Sequence, residues 1–242
     1  MRARRGYNVA PALGAGLVAT AVVGIAAAAS AGLSGGYVVR ATLACAALVT
    51  AVAWDARNEH PFSRFGAANY VTMVRAGFMS LRFGLIGESG SARLLWTTIA
   101  VVAFVAVLDG VDGWLARRSQ LASEFGARFD METDAALILV LSVLVWEHEK
   151  AGVWVLLCGL MRYAFVAAGW LLPWLAQPLR STWRGKSVAV AQYIGLSVAL
   201  APLVTPPFSA LVAAATLTAL GWSFAVDVMW LRRLTPPLDH GR

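Results

Sequence analysis

The chain has 242 residues, of which 59% are hydrophobic and only 14% charged, with a mean hydropathy of +0.68. Soluble globular domains carry about a quarter charged residues, so the composition excludes a soluble protein and places the chain in a bilayer. A net charge of +7 would suit a nucleic-acid partner, but no basic patch is interleaved with aromatic residues, which argues against one.

Eight apolar segments follow along the chain, at about 9–33, 37–54, 67–86, 92–115, 124–146, 151–174, 186–204 and 208–231. They are long enough to cross a hydrocarbon core of about 30 Å. They show no period-two alternation, so helices rather than barrel strands are expected. The expected fold is all-α and polytopic, with about eight transmembrane helices. Placing both termini in the cytoplasm puts fourteen of the twenty Lys and Arg residues inside. Only Arg40, Arg93 and Lys150 are then outside, and Arg75, Arg82 and Arg162 fall within spans. That is the positive-inside bias of an integral cell-membrane protein.

The first segment follows Arg2, Arg4 and Arg5 and ends near Ala29-Ser30-Ala31, a pattern resembling a secretory signal with a small-residue cleavage site. Its apolar stretch is longer than a usual signal core, so an uncleaved span is expected. The first two segments have no acidic residue before Asp55 and no chemical motif. Packing, insertion or homodimer contacts all remain open for them. The third opens on Asn69-x2-Thr72-x2-Arg75, a slowly drifting polar stripe on one helix face. An arginine inside a span normally has a partner, whereas Arg82 is expected to snorkel outward. Cys45 and Cys158 lie in apolar runs and read as small buried hydrophobes, with no disulfide scaffold or zinc site. His60, His148 and His240 are too scattered to share a metal.

The fourth and fifth segments carry the chemistry. Asp109 and Asp112 are three residues apart at the end of the fourth, and Asp130 and Asp134 four apart at the start of the fifth. Residues at those spacings share a helix face, and the short loop between makes the two helices antiparallel neighbours. Four carboxylates therefore converge at one depth near the membrane face. Their mutual repulsion demands cations. All-oxygen ligands of this number suit Mg²⁺ or Mn²⁺, and a pair of ions fits four carboxylates better than one. Two-metal sites stabilise a phosphoryl group under in-line attack. Gly113 and Gly126 leave room for a ligand or backbone to approach closely. Solvated acids capping two helix ends would explain one or two aspartates rather than four in register. Glu124 and Glu132 read as capping or surface residues.

The spacing D-x2-D-G-x2-A-R-x8-G-x3-D-x3-D over residues 109–134 resembles the signature of the class I CDP-alcohol phosphotransferase family, with every fixed position present. The resemblance implies a six-span core over 67–231, preceded by two N-terminal helices and a linker over 1–66 and followed by a tail over 232–242. It implies transfer of a substituted phosphate from a CDP-linked lipid, usually CDP-diacylglycerol, to a small alcohol with release of CMP. It makes Asp109, Asp112, Asp130 and Asp134 metal ligands, with Asp134 also the base that takes the alcohol proton. Gly113, Ala116, Arg117 and Gly126 correspond to the nucleotide-binding frame. Asn69, Thr72 and Arg75 match a segment assigned to nucleotide and phosphate contact, with Ala68 where a proline is common. Arg162 and Lys186 are candidates for gripping a phosphate on the acceptor, since Arg184-Gly185-Lys186-x5-Gln192 faintly resembles phosphatidylglycerophosphate synthases, whose acceptor carries one. Glycerol 3-phosphate is accordingly one candidate acceptor. A transporter or divalent-ion carrier using the same carboxylates predicts acids spread through the membrane depth. Spans six to eight offer only Asp227.

Overall fold

The computed structural model describes residues 10–59, 67–119, 124–175, 177 and 182–234. Arg2, Arg4, Arg5, His60, Arg180 and His240 lie outside them. Among the described residues there are eight α-helices and no strand: α1 (Ala10–Ala31), α2 (Gly35–Glu59), α3 (Ala67–Phe83), α4 (Ala92–Ser119), α5 (Glu124–Glu147), α6 (Leu157–Leu171), α7 (Trp183–Leu200) and α8 (Phe208–Leu234). A backbone crossing hydrocarbon must satisfy its own N–H and C=O groups, and the helix does so locally. The stretches Pro11–Ala31, Ala92–Gly110, Val153–Leu171 and Phe208–Leu234 are long and apolar enough to span, and Gly35–Ala51 is a shorter apolar stretch. The chain is an all-α polytopic membrane protein.

Helix ends follow local chemistry more closely than hydropathy. Gly32 takes a left-handed φ of 65° after α1, and Leu33 N–H donates to Ala28 C=O at 3.0 Å, the six-to-one closure of a Schellman stop. The same closure ends α5, where Lys150 N–H donates to Val145 C=O at 3.0 Å and Glu149 holds φ 57° without being glycine. The apolar run expected over 151–174 is divided into a 3₁₀ turn Val153–Leu156, α6, and a second 3₁₀ turn Pro173–Leu175, because Pro173 has no N–H to continue the helix. Thr182 caps α7 by accepting from Gly185 N–H at 3.1 Å, which starts that helix before residue 186. Pro202 stops it short of 204.

Contacts cluster into two compact units, Met1–Val140 and Leu141–Arg242, with the division inside α5. In the first, α1, α2 and α3 pack on one another and α4 packs on α3. Leu13, Cys45, Met73, Ala76 and Phe129 form its core, flanked by Leu17, Leu48 and Val49. Phe78 and Phe104 join α3 to α4 edge-to-face at 5.5 Å. A polar latch ties two loops. Glu88, after α3, accepts from Ser34 N–H at 3.1 Å, from Ser34 hydroxyl and from Arg40 Nη2, the last two at 2.5 Å. The Ser34 hydrogen bonds and the adjacent Arg40 charge hold the Glu88 carboxyl below its ordinary range.

In the second unit α7 and α8 form a hairpin. A Cβ on Gly195 would lie 2.0 Å from Thr216 Cγ2, so only glycine admits that approach. Fully buried Gln192 donates Nε2 to Thr216 C=O at 2.6 Å, and Phe165 of α6 meets Phe224 of α8 at 5.5 Å. Two charged side chains clamp the hairpin's ends. Arg184 at the start of α7 pairs with Asp227 near the end of α8. Lys150 donates Nζ to Ala201 C=O at 3.1 Å and Val204 C=O at 2.7 Å, while its own C=O accepts from Ser209 at 2.5 Å.

Candidate functional site

The site is built on α3, α4 and α5. Asp109 lies on α4, and Asp130 and Asp134 lie one turn apart on α5. One carboxylate oxygen from each of the three falls within 4.8 Å of the others. Phe129, 1% exposed and part of the core of the first unit, anchors the turn of α5 that carries Asp130. The aspartate side chains themselves stay accessible, at 41%, 36% and 26% for Asp109, Asp130 and Asp134.

Arg75 stands among them. Its side chain is wholly buried on α3, with Nη2 3.0 Å from Asp109 Oδ1. Nη1 donates to Asp130 Oδ1 and Nη2 donates to Asp134 Oδ1. One positive charge thus faces three negative ones.

The donor set fits a divalent ion. Two oxygens on one Mg²⁺ are at most about 4.2 Å apart, twice the usual bond of about 2.1 Å. Carboxylates within 4.8 Å of one another reach that separation with small side-chain rotations. Three hard oxygen donors, with no soft ligand beside them among the described residues, favour Mg²⁺ or Mn²⁺ over thiophilic metals.

The remaining residues expected at the site are placed as follows. Asn69 and Thr72 are buried on α3 before Arg75, at 7% and 3% exposure. Gly126 is half-buried in the first turn of α5. Asp112, Gly113, Ala116 and Arg117 lie on α4, but their side chains fall outside the described residues. Arg162 is half-buried on α6 and Lys186 exposed on α7, both in the second unit. The Lys186 ammonium lies 5.9 Å from the Trp183 ring. Arg184 is held by Asp227 and lies over Trp222 at 5.7 Å.

Two side chains depart from the sequence reading. Arg82, expected to reach outward, turns toward α4 with Nη1 3.5 Å from Thr98 Oγ1. That hydroxyl gives the guanidinium of the half-buried arginine a polar partner within the bundle. Lys150, read only as a loop charge, is buried at 8% exposure and caps the end of α7. Neither hydropathy nor spacing announces that role, and the left-handed Glu149 before it shows only in the backbone. Arg75 gave a usable signal, because an arginine within a span needs an acid or phosphate. Which of these it meets is a matter of helix register.

Residues 65–227 match the family described as CDP-alcohol phosphatidyltransferase. The CDP-diacylglycerol–glycerol-3-phosphate 3-phosphatidyltransferase of Escherichia coli K12 is 32% identical over 113 residues, which cover 42% of this chain and 60% of the relative. The proteins of the same name from Escherichia coli O157:H7 and Shigella sonnei Ss046 match to the same extent. The aligned part thus spans less than two thirds of those relatives. No solved structure matches the chain.

Proposed function

The chain belongs to the CDP-alcohol phosphatidyltransferase family, and from that premise we propose that it is a phospholipid-synthesising enzyme transferring a phosphatidyl group from CDP-diacylglycerol to a small alcohol. The observation that carries this reading is the convergence of Asp109, Asp130 and Asp134 around Arg75. The preferred acceptor is glycerol 3-phosphate, supported by the names of the Escherichia coli and Shigella relatives. The active face is cytoplasmic, on the strength of the positive-inside distribution of Lys and Arg.

Asp109, Asp112, Asp130 and Asp134 would hold divalent metal, in our reading two Mg²⁺ or Mn²⁺ ions. Bound there, such ions neutralise charge on a phosphoryl group and on the leaving phosphate. The chain's own residues do the rest. Asn69 and Thr72 line the approach on α3 and, with Gly113, Ala116, Arg117 and Gly126, frame the cytidine nucleotide. Asp134 accepts the proton of the acceptor hydroxyl at its carboxylate. The acceptor oxygen then bonds to the lipid-side phosphorus, the bond to the bridging oxygen breaks, and CMP leaves with that oxygen. Arg162 and Lys186 are the candidates the sequence offers for holding the acceptor's phosphate.

The test is CMP release by purified protein given CDP-diacylglycerol, Mn²⁺ or Mg²⁺, and a panel of alcohols. Metal-dependent release is expected, fastest with glycerol 3-phosphate. No CMP with any acceptor would overturn the activity. Preference for an uncharged alcohol would overturn the acceptor.

A further inference from the structure

The first unit carries an apolar cleft of about 190 Å³ between α1 and α3, larger than the roughly 150 Å³ cavity that admits a benzene ring. Glycines bring the two helices together there. A Cβ on Gly16 would lie 2.2 Å from Met73 Cε, and one on Gly77 would lie 3.0 Å from Thr20 Oγ1. Beside these contacts the cleft is lined by Ala19 and Val23 of α1 and by Val74, Phe78 and Leu81 of α3. Val23 and Val74 are half-exposed, so the cleft opens toward the bilayer. Its one side-chain hydroxyl, on Thr20, donates to Gly16 C=O at 2.9 Å and accepts from Cys45 Sγ at 3.5 Å. The lining therefore asks for an apolar occupant.

The cleft begins beside the aspartates and runs away from them. Met73 and Val74 directly precede Arg75 on α3, and Leu81 follows Met73 by about 12 Å at 1.5 Å per residue. Phe78, on the cleft wall, meets Phe104 of α4 edge-to-face at 5.5 Å. That contact lies along the same α3–α4 seam as the pair of Arg75 and Asp109, about 4.5 Å further along α3. The stretches Pro11–Ala31 and Ala92–Gly110 are apolar and long enough to span, which puts the cleft at hydrocarbon depth. An occupant at that depth, continuous with a centre that handles phosphate, is a hydrocarbon chain attached to a phosphate. One wall of the cleft belongs to α1, which precedes the family-matching residues 65–227. This wall is thus an addition to the shared core.

We propose that the cleft between α1 and α3 seats one acyl chain of the lipid donor and so orients its phosphorus at the aspartates. This rests on the phosphatidyl-transfer reading, and the test separates the two. Bilayer lipid is as apolar as the cleft, so the gain comes from packing and orientation rather than from hydrophobic transfer. CMP release by purified protein is measured with dioleoyl and with dihexanoyl CDP-diacylglycerol, the second having chains too short to reach Val23. Val23→Trp, which fills the far end of the cleft, is expected to lower kcat/KM for the dioleoyl donor by about tenfold, the worth of roughly ten lost atomic contacts, and for the dihexanoyl donor by less than about threefold. Val22→Trp, next to it but outside the lining, should leave both donors within about twofold of wild type. A dioleoyl donor with a diazirine in mid-chain should label α1 between Ala19 and Val23, and excess unlabelled donor should suppress that label.

Wild-type protein that releases no CMP from either donor overturns the phosphatidyl-transfer reading itself. Active wild type with a Val23→Trp variant equal to it on both donors overturns the acyl-chain cleft alone. Equal losses on both donors also overturn it, because the substitution would then act through the fold rather than through chain length. So does labelling of α1 that excess donor fails to displace, since any bilayer lipid would then cover this face.

Discussion

Arg184 and Arg75 meet aspartate in opposite proportions, and the contrast separates a fold-holding pair from a candidate reaction centre. Arg184 pairs with the single Asp227 and rests over Trp222. The two charges cancel and join the ends of two helices. Arg75 faces Asp109, Asp130 and Asp134 together. Closing two helix ends needs no excess of acid, whereas holding a divalent cation does. Several acids gathered on one buried arginine thus mark a candidate site more sharply than a single ion pair does.

The largest expected effect lies on the unbalanced side. Asp134→Asn should lower CMP release by about a thousandfold or more, the combined loss of a base and a ligand, with the protein still folded in detergent. Asp227→Asn should leave release within about tenfold of wild type in the protein that folds, because balanced charges carry no chemistry. If both variants lose activity equally, the contrast fails.

Lys150 offers a third kind of balance, in which backbone dipoles take the place of an acid. Its ammonium meets the carbonyls of Ala201 and Val204 at the end of α7, where the helix dipole is negative. Lys150→Met removes two charge-assisted hydrogen bonds and should cost about 2–3 kcal/mol, read as a lower unfolding temperature with kcat preserved. An unchanged unfolding temperature would show that the latch is ornamental.

Breaking the balanced pair should cost less. Arg184 and Asp227 are 21% and 23% exposed at their side chains, so either neutral single variant should lose only about 1 kcal/mol. The double variant Arg184→Met with Asp227→Asn should recover part of that in a double-mutant cycle. A double variant as poor as the sum of the singles would mean that the two charges do not act on each other.

The smallest effect concerns the Glu88 latch. Its carboxyl is held below the ordinary range by Ser34 and Arg40, so the folded state binds its proton less readily than the unfolded chain. Its contribution is therefore present above the ordinary glutamate pKa and is lost as pH falls through the lower, folded value. Wild-type protein should lose stability faster than Glu88→Gln on acidification into that range. Parallel pH profiles would remove Glu88 from the account.

The sequence by itself determined the membrane character, the number of helices and the identity and spacing of the acids. These properties are local: hydrophobicity decides the solvent, and helical periodicity puts Asp130 and Asp134 on one face within a single turn. The stops that hydropathy misjudged were local as well. Gly32 and Pro173 act through φ and a missing N–H, and Pro202 lay in plain view. Only the tertiary structure decided that Arg75 meets Asp130 and Asp134, 55 and 59 residues away, that Lys150 reaches carbonyls 51 and 54 residues on, and that Arg82 turns inward to Thr98. Such partners depend on how helices cross and in what register, to which every side chain in the interface contributes. The sequence thus told which charges the membrane must accommodate, and the packing told which of them accommodate one another.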